Sequence, residues 1–289
     1  MPLDPDTRYL IVNADDFGMH ASYDDAIVAA HERGIVTSTS LAATGASFAH
    51  AVAAARAAPR LGVGVHLVLH DETPVLDPAR VPSLVGPDGR LRPLREQTRR
   101  ALVGELDPRE VEAEWRAQIR RVIDAGIVPD HVDGHCHLTA LPSLGPIAQR
   151  VAREAGVSCA RRSEADRLRE FASAPVLRWP VSILITGASR SMRGSLSEPL
   201  RTPDRFVGLV KSGELDVEWV LEALRALEPG RVSELMTHPS LGGEPGDPHG
   251  DHGPARRRAE FDAMVSPRVR DAVNDLGVRL VDYRFLAAC

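Results

Sequence analysis

A parallel α/β architecture, of a size to form a single barrel, is what this sequence predicts, and three observations carry that prediction. Short apolar or β-branched runs alternate with helical stretches along the chain, the pattern of parallel strands joined by crossover helices. The length of 289 residues lies within the range of one (β/α) barrel. Chemically capable side chains recur where predicted strands give way to loops, the end of an α/β barrel at which sites are built. No repeat or low-complexity run divides the chain, so residues 1–289 read as one domain. The stretch 163–200 fits no regular pattern and is read as an insertion or a cover segment.

Taken in order, "YLIVN" (9–13) is apolar on both faces and predicts a buried first strand. Residues 20–33 place Ala26, Ile27 and Ala30 at helical spacing, and Gly34 stops the helix. "VTSTSLAAT" (36–44) is β-branched and reads as a strand; "SFAHAVAAARAAP" (47–59) is an Ala-rich helix with Ser47 as N-cap. "GVGVHLVLH" (62–70) is a third strand, followed by turn chemistry such as "GPDGR" (86–90). A strong amphipathic helix spans 107–126, with Asp107 as cap, Pro108 in the first turn and Gly126 past its end; Trp115 on it reads as core. "PDHVDGHCHL" (129–138) is a short strand entering a loop, 144–155 is helical, and "GVSCAR" (156–161) is another short strand. Further on, 215–227 is helical, "VSELMTHP" (232–239) is a strand, and helices around 256–276 precede a last strand, "VRLVDYR" (278–284).

Composition narrows the classes of function. At 43% hydrophobic residues the chain can bury a sizeable core. A formal net charge of −5 with dispersed basic residues argues against a nucleic-acid partner. The clusters Arg99-Arg100 and Arg256-Arg257-Arg258 read as solvated helix faces. Cys136, Cys159 and Cys289 form no disulfide framework. The start of the sequence lacks a basic, then apolar, leader pattern, and no window holds the roughly 18 apolar residues of a membrane helix. The expectation is a cytoplasmic protein with no membrane partner; a homo-oligomer stays open.

Four stretches carry the chemistry. "NADDFG" sets Asp15 and Asp16 side by side directly after a strand, where a buried like-charge pair is costly without a cation. His66 interrupts an apolar strand, so something specific must satisfy its ring. "HVDGHCH" (131–137) packs three His and one Asp into seven residues; extended alternation would put Asp133, His135 and His137 on one side, with an open position for water on a bound metal. His238 precedes a proline at a strand end and gains weight only with the others. A metal-activated water with a base and an acid is the set of parts that amide or ester hydrolysis needs.

The chain resembles the YdjC-like (ChbG) carbohydrate deacetylase family, relatives of the NodB-type polysaccharide deacetylases. The match rests on "NADDFG", "GIVTSTSL" (34–41), "GVHL" (64–67), "VPSLVGPDGRL" (81–91), "HVDGHCH", "TPDRFVGL" (202–209) and "ELMTHPS" (234–240), in the family's order. The resemblance implies a distorted (β/α) barrel, one divalent metal ion, and removal of an N-acetyl group from an amino sugar, its partner being a small acetylated sugar or oligosaccharide. It also implies Asp16, His66 and His135 as metal ligands, with His137 as the alternative to His135. Asp15 would then be the base, His238 the acid, and Arg161 the residue orienting Asp15. Zn or Mg comes first for the metal, with Co, Ni or Mn also compatible.

Departures from the family pattern fall where substrate choice would be set: Thr44, "HLVLHDETP" (66–74) with His70 read as rim, the stretch 163–200, and the loop 241–254. Few aromatic residues favour a small acetylated sugar or glycoside over a long chain. Two other readings share these residues: hydrolysis of another ester or amide on the same scaffold, and a non-catalytic metal- or sugar-binding protein.

Overall fold

The computed structural model describes residues 2–165, 179–242 and 253–289. Strand β1, Arg8–Phe17, is the axis on which the rest is laid, and every residue from Tyr9 to Phe17 is buried. One of its edges pairs with β6, Val232–Thr237. The other edge is shared: β7, Val278–Val281, pairs along Arg8–Ile11, and β2, Ser38–Leu41, pairs from Asn13 onward. Beyond β2 lie β3, Gly62–Leu67, and β4, Val132–Gly134; beyond β6 lies β5, Arg205–Val207. All these pairings are parallel, giving a curled half-barrel. The edge strands are approached by one run of chain, since Ala160 bridges to Val132 of β4 and Ala165 to Phe206 of β5.

Helices cover this sheet as the parallel connections require. Helix α1, Ala21–Arg33, buries Ala26, Ile27 and Ala30, the face the spacing predicts. Helix α2 spans Phe48–Ala57; Ser47 stands at its cap position without a side-chain capping bond. Helix α3, Leu94–Val103, lies in the stretch read as turns: it buries only Gln97 and Ala101, so its sequence carries little apolar periodicity. Helix α4, Pro108–Asp124, is capped by Asp107, which accepts from the Arg109 N–H, and Trp115 is fully buried. Helices α5 (Gly145–Glu154), α6 (Trp179–Gly194) and α7 (Val217–Arg225) follow, then α8 (Pro254–Val265), α9 (Pro267–Asp275) and α10 (Tyr283–Ala288).

β2, β3, β6 and β7 stop short of their expected ends, and for β3 and β7 the reason is visible. β3 ends at Leu67 because the Val68 backbone bonds to the Gln118 side chain, donating at 2.9 Å and accepting at 2.7 Å. β7 ends at Val281 because the Asp282 side chain accepts from the Phe285 N–H and starts α10. The strand expected at 156–161 is reduced to single bridges at Cys159 and Ala160. Of the stretch 163–200, residues 166–178 lie outside the described residues, and much of the remainder is α6. The expected loop at 241–254 lies mostly outside them too, at 243–252.

Tight packing at the sheet can be tested at one glycine. A Cβ on Gly64 in β3 would sit 2.3 Å from the His131 ring, which is buried and stacked on Tyr283 at 3.8 Å between centroids. Gly64→Ala is expected to lower the unfolding free energy by about 3 kcal/mol, an overpacking cost, read from the urea denaturation midpoint.

Candidate active site

Consecutive residues in a strand point to opposite faces, yet Asp15 and Asp16 line the same cleft. The backbone explains this. Asp16 takes φ of 70°, in the left-handed region, and the β1–β2 register shifts between Ala14 and Phe17. The irregularity turns the second carboxylate back toward the face of the first, and such local strain is characteristic of functional positions. Both side chains are buried.

Beneath Asp15 lies a buried guanidinium. Arg161 donates to both Asp15 oxygens, at 2.5 and 2.6 Å, contacts Asp133 Oδ2 at 2.8 Å, and donates from Nε to Glu234 Oε1 at 2.9 Å. Asn13 Nδ2 donates to Asp15 at 2.9 Å, and Tyr283 donates to the second Glu234 oxygen at 2.6 Å. Burial alone would raise the Asp15 carboxyl, but the Arg161 charge holds it below the usual carboxylate range. At Glu234 burial wins, and its carboxyl is raised despite Arg161.

Asp133 and His135 share a side, as alternation predicted, and both meet the His66 ring, but His137 does not join them. Cys136 and His137 have φ of 50° and 58°, so the extended pattern ends at His135 in a tight turn. Asp133 accepts from His66 Nδ1 at 2.7 Å and from Ser40 at 2.9 Å. This is what satisfies the His66 ring in its apolar strand. With Nδ1 committed, Nε2 of His66 is directed at Asp16 Oδ1, 3.5 Å away, and at His135 Nδ1, 3.2 Å away. His135 Nδ1 lies 3.2 Å from the same Asp16 oxygen.

Asp16, His66 and His135 thus bring one carboxylate oxygen and two ring nitrogens within 4.8 Å of one another. Donors roughly 2.0–2.1 Å from a common ion stand about 3.0–3.4 Å apart, so the observed spacings suit a divalent cation. Asp16 Oδ1 is buried without a well-aligned hydrogen bond, as a ligand atom would be. Burial would lower His66, but the Asp133 and Asp16 carboxylates push it up to about 10, so positive charge is favoured at this point. His137 lies apart from this trio: Nδ1 bonds to Ser163 at 3.0 Å, and burial holds its ring down at about 3.

His238 follows β6 at the far side of Asp15, with Nε2 3.9 Å from Asp15 Oδ2 and Nδ1 3.8 Å from Glu260 Oε2. The same Glu260 oxygen accepts from the His238 backbone N–H at 2.5 Å and from Thr237 at 2.9 Å. Burial pulls His238 down, but the Glu260 carboxylate outweighs it and the imidazole is raised.

Two expectations are corrected here. Arg257, read as part of a solvated face, is fully buried on α8, donates to Asp16 Oδ2 at 2.8 Å and lies 4.2 Å over the Tyr23 ring. It faces inward because α8 packs on α1, and "RRR" carries no signal of which arginine does so. His70, read as rim, is buried and stacked on His135 at 4.6 Å; burial holds it down at about 4. Glu234 and Glu260 were missed as well, although Glu234 sits in an apolar strand where a buried charge demands a partner.

Asp15, Asp16, His66, His135 and His238 open into a cleft of about 370 Å³. A cluster of carboxylates and imidazoles at the strand ends of a curled parallel half-barrel is of the class that could hold a metal ion. The chain belongs to the YdjC-like protein family, whose profile matches residues 9–275. It is similar to a protein named carbohydrate deacetylase from Brevibacillus brevis, 31% identical over 95% of this chain and 98% of the relative. A protein named chitooligosaccharide deacetylase from Klebsiella pneumoniae is 33% identical over 96% of this chain and 98% of its own. A solved structure from Enterococcus faecalis superposes with a TM-score of 0.73 at 28% identity, covering 97% of this chain and 99% of that one. No described helix is long and apolar enough to cross a membrane.

Replacing Arg161 by Met would leave Asp15, Asp133 and Glu234 buried without their shared cation. The expected loss is about 3–5 kcal/mol of unfolding free energy at neutral pH. The deficit narrows at mildly acidic pH, where the stranded carboxylates take up protons; paired denaturation curves at the two pH values check both parts.

Proposed function

We propose that this chain removes the N-acetyl group from an acetylated amino sugar, as a mono- or oligosaccharide or a glycoside, with one divalent ion held by Asp16, His66 and His135. The observation that carries this reading is the meeting, in one cleft, of that trio with the Asp15 carboxylate, oriented through both oxygens by Arg161, and the His238 imidazole beside Glu260. The names of the relatives supply the substrate class. One carboxylate and two imidazoles favour Zn, Co or Ni over Mg.

A divalent cation at such a trio polarises an acyl carbonyl and acidifies water. Asp133 fixes the His66 tautomer, and Arg257 occupies Asp16 Oδ2 so that Oδ1 faces the two rings. Asp15, oriented through both oxygens by Arg161, accepts the proton of the attacking water. His238, its imidazole raised by the Glu260 carboxylate on its Nδ1 side, delivers the Nε2 proton to the departing amine nitrogen as the C–N bond breaks. The products are acetate and the free amino sugar. His135 is preferred to His137 because the latter's ring is bonded to Ser163 and stands outside the trio.

The test is acetate release from N-acetylated sugars by metal-stripped protein resupplied with single ions. Release should depend on the ion, and Asp15→Asn or His238→Ala should lower kcat by about 10²–10⁴. Release only from O-acetyl esters, or tight metal binding with no release from any sugar, would overturn the reading.

The acid role adds a pH signature. An imidazole acid works only while protonated, so activity falls as pH rises through its pKa, here raised by Glu260. Glu260→Gln removes that support and should move the alkaline limb of kcat/KM to lower pH, while the acidic limb shifts less.

A further inference from the structure

The walls of the cleft are unlike. One side is the acidic and imidazole cluster; the other is Leu94 from α3, Val181 and Ile185 from α6, and Leu209 and Val210 after β5. Among the described lining residues none is Phe, Tyr or Trp, so the described part of the wall carries no flat ring on which a sugar's C–H face could stack. Ser182 and Ser212 are the hydroxyl groups among those residues. A wall of this kind offers few hydrogen bonds to successive sugar hydroxyls.

The apolar surface does not stop at the cleft. Val181 and Ile185 are one helical turn apart, and Leu184 falls on the same face by spacing. Val181 is 60% exposed and Leu184 71% exposed, so an apolar strip runs from the reacting groups out along α6. Single exposed leucines need no explanation, but a continuous apolar strip leading out of a polar reaction cleft marks a ligand with an apolar portion.

On the deacetylase reading, we infer that the substrate is an acetylated amino sugar joined to an apolar group, with the sugar at the polar wall and the apolar group along Leu94, Val181, Ile185 and Leu209 toward Leu184. The apolar group takes no part in the bond changes: water attacks the acetyl carbon, the amide C–N bond breaks, and the amine leaves protonated. Its contribution is to binding, so it appears in KM before kcat.

The experiment compares methyl, butyl and octyl N-acetyl-β-glucosaminides below their micelle concentrations. Each methylene seated on an apolar wall strengthens binding by about two- to fourfold, so kcat/KM should rise at least about tenfold from methyl to octyl. Val181→Ser with Leu184→Ser should bring the octyl-to-methyl ratio toward one. A flat series, or a ratio unchanged in that variant, would overturn the inference. So would a rate that climbs with N-acyl length instead, which would make the wall an acyl pocket. Calorimetric binding to Asp15→Asn separates the two claims. Tighter octyl than methyl binding with no turnover of any compound by the parent protein would sink the deacetylase reading and keep the apolar group. Turnover of all three glycosides at equal kcat/KM, with equal binding, would do the reverse.

Discussion

The site depends on one buried guanidinium. Arg161 has carboxylates at Asp15, Asp133 and Glu234, and without it the barrel would hold three negative charges away from water within reach of each other. A buried ion pair seldom adds net stability over apolar packing, so this cluster is understood by what it organises. Through Arg161 the Asp15 carboxylate on β1, the His66-bonded carboxylate on β4 and the Tyr283-bonded carboxylate on β6 share one fixed frame. The planar five-donor fork is what lets one side chain address all three, which a lysine could not do.

Around that frame the sheet sets distances. The ends of the parallel strands β1, β3, β4 and β6 deliver Asp15, His66, His135 and His238, and the left-handed turn at Asp16 adds a fifth group from a strand that already supplies one. Two adjacent carboxylates are therefore not a solvated acidic loop. Each has its own arginine, Arg161 for Asp15 and Arg257 for Asp16, and each faces a different set of imidazoles.

Much of this was legible in the sequence. Ala26, Ile27 and Ala30, the Asp107-Pro108 helix start and the apolar run at 9–13 announce their elements through local periodicity and capping. What could not be read was anything set by distant chain. The α3 helix hides because its buried face is Gln97 and Ala101. The burial of Arg257 depends on how α8 meets α1, and the fate of His137 on positive φ angles that alternation cannot foresee. His66 was legible as a problem, a polar ring in an apolar strand, but its answer lay 67 residues away at Asp133.

The grip of Arg257 on Asp16 spans 241 positions of sequence. Contacts of such separation form late, because loop closure must be met before they stabilise anything. A chain emerging from the ribosome would hold Asp15, Asp16 and His66 long before α8 exists to complete their surroundings. The surroundings of Asp16 are therefore complete only once α8 has been made and packed on α1.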